Sequence, residues 1–275
     1  MLRALQGGIR SSVRAGIMWW RGSAPLGRGK APSPHNLFCQ AVIDDGLRLG
    51  AMNAAIAFYD DSLNPAVRGF LHSPDVPSGD GLILTHGAGS NCNSPLLVAL
   101  SDGFAEHGFF VLRCDLPFRQ QKQSGPPFPG MAERDRAGLR NAVAVLRKKT
   151  AGKIFLGGHS YGGRQATMLC AAEPELVSGL LLLSYPLHPP RKPEQLRTQH
   201  LPNLRNPSLF VQGTRDPFGS FEEMTEALRL VPAKTELMIV EGAGHDLGFK
   251  GKERAAQFPG MVSAKFQAMF WIDIM

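Results

Sequence analysis

Between Lys153 and Gly163 the chain reads K-I-F-L-G-G-H-S-Y-G-G, and this stretch limits the possible folds more than any other. Gly158-His159-Ser160-Tyr161-Gly162 fits G-x-S-x-G, in which a serine sits on a sharp turn between a buried strand and a helix. The flanks meet that demand. Ile154, Phe155 and Leu156 form a short apolar run suited to a central parallel strand, and Arg164 to Ala172 has helix-forming composition, closed by Pro174. Gly158 and Gly162 remove side chains that would collide as the chain doubles back, leaving Ser160 exposed at the strand's carboxyl end. A lone G-x-S-x-G also reads as a glycine-rich turn, so its partners decide its meaning.

Around this stretch α and β segments alternate. Gly81 to Thr85 reads as a buried strand, Ser94 to His107 as a helix, Phe109 to Arg113 as a strand and Ala132 to Lys149 as a helix. After the elbow come strands Gly179 to Ser184 and Ser208 to Gln212, helix Phe221 to Leu230, strand Glu236 to Val240 and a helix near Ser263 to Ile274. Short buried strands between longer helices predict an α/β fold with a mostly parallel sheet covered on both faces. The loops after the strands then share one rim.

Three of those loops carry residues in the order serine, acid, histidine expected of α/β-hydrolases: Ser160, then Asp216 in G-T-R-D-P, then His245 in G-A-G-H-D. A serine hydroxyl needs a neutral imidazole to take its proton, and the imidazole needs a carboxylate to hold its tautomer. Asp216-Pro217 is also ordinary turn chemistry, and Asp246 is a second acid whose adjacency to His245 makes the approach awkward. Developing charge on an acyl oxygen calls for backbone donors, expected at Tyr161 and at Gly87 or Ala88 in the loop after the first buried strand. His86, His159, Arg119 and His188 are candidate substrate-binding residues, with loop bracing as the competing reading for Arg119 and His188. H-G-A-G is neither a P-loop nor a dinucleotide fingerprint, and no cysteine or histidine stands at metal-ligand spacing, so neither a metal nor a cofactor is expected.

Charge is uneven along the 275 residues. No acidic residue precedes Asp44, whereas Arg3, Arg10, Arg14, Arg21, Arg28 and Lys30 are basic; without these six the net charge of +7 falls to about +1. The body therefore lacks the footprint of a nucleic-acid binder. Leu2, Leu5, Ile9, Val13, Ile17 and Trp20 recur at helical spacing beside the arginines, a pattern that resembles an organellar transit peptide and also suits a basic tail. Residues 1–66 are read as this leader and a linker, and 67–275 as one domain. No apolar run reaches the roughly twenty residues of a membrane span. Scattered Cys39, Cys92, Cys114 and Cys170 favour a reduced, cytoplasmic protein, with mitochondrial targeting as the alternative.

From about Val67 onward the chain resembles the α/β-hydrolase superfamily, specifically the compact group that includes testis-expressed protein 30 and bacterial α/β-family hydrolases. The matching stretches are L-T-H-G-A at 84–88, H-G-F-F-V-L-R at 107–113, S-Y-P-L-H-P-P at 184–190 and F-W-I at 270–272. The resemblance implies the α/β-hydrolase sheet and a hydrolase-like pocket without fixing a substrate. Only His188 to Pro207 separate two successive strands where many hydrolases insert a lid, so no large cap domain is expected. The combined reading is a serine hydrolase acting on a small acyl substrate; the alternative is a non-catalytic interaction module of the same fold.

Overall fold

A computed structural model describes residues 55–249 and 252–271. The basic leader lies outside the described residues. The elements are strands β1 (Ile56–Asp60), β2 (Val67–His72), β3 (Gly81–Thr85), β4 (Phe110–Cys114), β5 (Ile154–His159), β6 (Gly179–Leu183), β7 (Ser208–Gly213) and β8 (Thr235–Val240). The helices are α1 (Pro95–Glu106), α2 (Pro117–Gln121), α3 (Met131–Arg147), α4 (Tyr161–Ala172), α5 (Phe221–Leu228) and α6 (Lys252–Trp271).

All eight strands form one sheet in the order β1-β2-β4-β3-β5-β6-β7-β8. From β4 to β8 every pairing is parallel, while β2 runs antiparallel to both β1 and β4. Every residue of β3 and β6 is buried, which is why both are unbroken apolar runs and not alternating ones. Side chains of alternate parity then serve opposite faces. Leu82, Leu84, Phe155, Leu181 and Leu183 join α1 and α6 in one core, whereas Ile83, Leu156, Leu180 and Leu182 join α3, α4 and α5 in the other. No cap domain interrupts the sheet among the described residues; β6 and β7 are joined by turns and a short 3-10 helix at Leu201–Asn203.

Several boundaries differ from the sequence reading for physical reasons. Among the described residues the sheet begins at Ile56, ahead of the Val67 at which the domain was expected to open, because β1 pairs with Val67–Leu71 of β2. Its exposed, mixed pattern is that of an edge strand and carries no clean period. The last helix starts at Lys252, not Ser263. Pro259 and Gly260 weaken the local helical signal, but Phe258, Val262, Phe266 and Met269 are buried, and α6 packs on α1. Pro117 opens a short α2 where a loop was expected, its fixed φ suiting the first helical turn.

Candidate active site

In the sheet order, β4 and β5 lie on opposite sides of β3. Successive connections thus leave the carboxyl ends of β3 and β5 in opposite directions, which opens a crevice between them. Ser160 stands at this crevice, directly between β5 and α4. Its backbone sits at φ 52°, ψ −116°, a strained conformation for a residue with a Cβ. The surroundings hold it there: Ser160 N–H donates to Leu183 O at 2.8 Å, and Ser160 O accepts from Arg164 N at 3.0 Å. The two glycines are required by close approach. A Cβ on Gly158 would lie 2.7 Å from Gly163 N, and one on Gly162 would lie 2.6 Å from His86 O.

The loop after β8 brings His245 to this serine. His245 Nε2 is 2.8 Å from Ser160 Oγ, and Nδ1 is 2.8 Å from Asp216 Oδ2 and 3.0 Å from Oδ1. A carboxylate only accepts, so Nδ1 carries the proton and Nε2 presents its lone pair to the serine hydroxyl. Asp216, after β7, is fully buried in its side chain and also accepts from Phe218 N at 2.9 Å. Phe218 lies against the His245 ring at 4.2 Å between centroids, and His159 flanks it at 5.0 Å. Asp246 instead accepts from Gly248 N within its own turn.

His159 is the one predicted accessory residue that reaches the cavity. It acts on another residue: its Nε2 donates to the backbone oxygen of His245 at 2.8 Å. Burial, reinforced by the nearby His245, lowers its pKa to about 4, so the ring is neutral near pH 7. The expectation that His86, Arg119 and His188 contact substrate is corrected by their bonding. His86 is wholly buried; Nδ1 donates to Gly87 O and Nε2 accepts from Leu116 N. Arg119 spends its guanidinium on the carbonyls of Ala88, Ser90, Lys122 and Gly125, which is the loop-bracing alternative. His188 bonds Pro189 O and the Glu223 carboxylate at the start of α5. Each is held by backbone groups or a carboxylate of its surrounding loops.

Tyr161, Gly87 and Ala88 all line the cavity with Ser160 and His245. Tyr161 is fixed by its own side chain, whose hydroxyl donates to Asp135 Oδ2 at 2.7 Å while Phe118 meets the ring edge-on at 5.7 Å. Asp135 uses its other oxygen on Phe118 N. The cavity has a volume of about 590 Å³ and includes residues the sequence reading did not single out: Arg164, Arg197, Pro186 and Phe218. Arg164 was in principle legible, since it follows Ser160 by four residues on a helix. Arg197, remote in sequence, offered no such signal.

Similar folds are known. The dienelactone hydrolase of Anabaena variabilis superposes with a TM-score of 0.65 at 21% identity, covering 79% of this chain and 99% of that one. Est1E of Butyrivibrio proteoclasticus gives 0.59 at 17%, with 76% and 97% covered. A serine hydrolase without a lid from Xanthomonas campestris gives 0.59 at 16%, with 76% and 92% covered. Residues 79–269 match the model of the alpha/beta hydrolase domain family, a span that includes Ser160, Asp216 and His245, and the chain belongs to that family.

Proposed function

We propose that this chain is a serine hydrolase that cleaves a carboxylic ester or a related acyl bond through an acyl-enzyme. The observation that carries the reading is the continuous line from the buried Asp216 carboxylate through His245 to Ser160 Oγ, with both links at 2.8 Å. In the first half-reaction Ser160 Oγ attacks the acyl carbon while its proton passes to His245 Nε2. The carbonyl π pair moves to oxygen, then returns to expel the leaving group, which takes the proton from Nε2. Water repeats the cycle on the acyl-enzyme and restores Ser160. Asp216 stabilises the imidazolium in both halves without itself being protonated.

The oxyanion is assigned to the Tyr161 N–H and to the Gly87–Ala88 loop. Support for Ala88 comes from the carbonyls around it. Gly87 O accepts from Ser90 N and from His86 Nδ1. In a trans peptide the N–H points opposite to the carbonyl, so this anchoring turns Ala88 N–H away from His86. Arg119 holds the next carbonyl, Ala88 O, at 2.8 Å. With no cap domain among the described residues, the cleft suits small or accessible acyl groups, including esters and thioesters.

Labelling with a fluorophosphonate tests the reading. Rapid modification mapped to Ser160 in wild type, and absent from folded Ser160→Ala and His245→Ala, is the expected result. Folded wild type that is not labelled overturns it and favours the non-catalytic interaction module.

A further inference from the structure

Four arginines among the described residues meet a carboxylate. Arg140 meets Glu173, Arg136 meets Glu133, Arg68 meets Asp115 and Arg229 meets Glu226. The two that line the catalytic cavity do not. Arg164 forms no ion pair and no side-chain hydrogen bond among the described residues, and its Nε is buried without a partner. Arg197 has one side-chain bond, from Nη1 to Pro186 O at 3.3 Å, and no carboxylate. Among the described residues, no aspartate or glutamate lines the cavity.

Position reinforces the point. Arg164 rises from α4 one turn beyond the nucleophile, its backbone N–H bonded to Ser160 O. Arg197 comes from the connection between β6 and β7, so two separate segments deliver positive charge to one cavity. Their field is felt locally. Burial first, and then Arg164, pulls Arg197 below the usual guanidinium range. Burial followed by Arg164 and Arg136 pushes neighbouring His200 down to about 4, so that group adds no charge near neutrality. Arg164 Nε, withdrawn from water without an acceptor, is costly to leave unpaired, and an arriving anion offsets that cost.

We propose that Arg164 and Arg197 form an anion subsite that binds a carboxylate or phosphate carried by the substrate, so that the preferred acyl compound is an acidic one. This rests on the reading of the cavity as a hydrolase site. A guanidinium fork matches such oxyanions in two-point geometry, which makes the subsite selective for planar or tetrahedral anions over other polar groups.

The test compares hydrolysis of 4-nitrophenyl hydrogen glutarate with 4-nitrophenyl valerate, which has the same chain length and no charge. In wild type kcat/KM should favour the glutarate ester by about tenfold to a hundredfold, the range for hydrogen bonds to charged groups. Arg164→Gln and Arg197→Gln should each bring that ratio towards one, and Arg164→Lys should recover part of it. A wild-type ratio near one, or a ratio that neither glutamine variant changes, overturns the subsite; with labelling at Ser160 retained, the hydrolase reading survives that failure. Absent labelling and turnover of both esters, the hydrolase reading falls, and calorimetry decides the subsite. Binding of glutarate or inorganic phosphate that weakens in both glutamine variants supports it and identifies the preferred anion class; no binding of either overturns it.

Discussion

The two faces of the sheet are built on different physics. On the α1 and α6 side, Phe155 meets Phe266 at 5.1 Å and Phe270 at 4.9 Å, and Phe104 meets Phe109 at 5.3 Å, in mostly edge-on geometry. These rings gain from area and packing, and tolerate small rotations. The α3 and α4 side combines an aliphatic core with buried polar bonds: Tyr161 to Asp135, Arg136 to Gln165, and Thr167 to His200. Such bonds add modest net stability but fix direction. The elbow helix lies on this polar side, where its first turn is held in azimuth as well as position. One face mainly stabilises the sheet, and the other aims Ser160 and the donors beside it.

The comparison can be broken at several points. The largest effect belongs to the polar side: Ser160→Ala, His245→Ala or Asp216→Asn should each lower kcat for an activated ester by at least about a thousandfold, with Tm nearly unchanged. Phe266→Ala should do the reverse, costing about 3–5 kcal/mol in chemical denaturation while leaving kcat/KM within about twofold where the protein is folded. If that substitution lowered activity as much as stability, the division between faces would fail. Tyr161→Phe is intermediate: one Asp135 oxygen loses its donor, and a cost of about 1–3 kcal/mol is expected together with a lower kcat and little change in KM.

The last effect is in pH. His159 and His200 are both held near 4 by burial, against an ordinary 6.5. Since the unfolded chain binds these protons first, stability is fully present above about pH 6.5 and declines as pH falls towards 4. His159 contributes at most about 3 kcal/mol, and the less deeply buried His200 contributes less. His159→Gln should flatten that decline in urea titrations at several pH values, and an unchanged slope would contradict the assignment.

Legibility followed the range of the interactions. Five parallel strands could be read from β3, β4, β5, β6 and β7 as short apolar runs, because burial on both faces imposes the same composition on every position. The elbow was legible because its motif is a short fixed spacing in which Gly158 answers to Gly163 a few residues on, although Gly162 answers to His86 on a distant loop. The β1 edge was not, since half-exposed strands keep no strict period. His86 and Arg119 were expected on loops at the serine's rim, yet their side chains answer to backbone carbonyls and amides there.

Sequence alone therefore determined the class of fold, the order serine, acid, histidine, and the turn that exposes Ser160, because each depends on residue type and short spacing. Tertiary structure decided which polar side chains face the cavity. Arg119 is consumed by backbone acceptors while Arg164 and Arg197 are left without a counterion, a distinction set by which distant segments supply acceptors once the chain has packed.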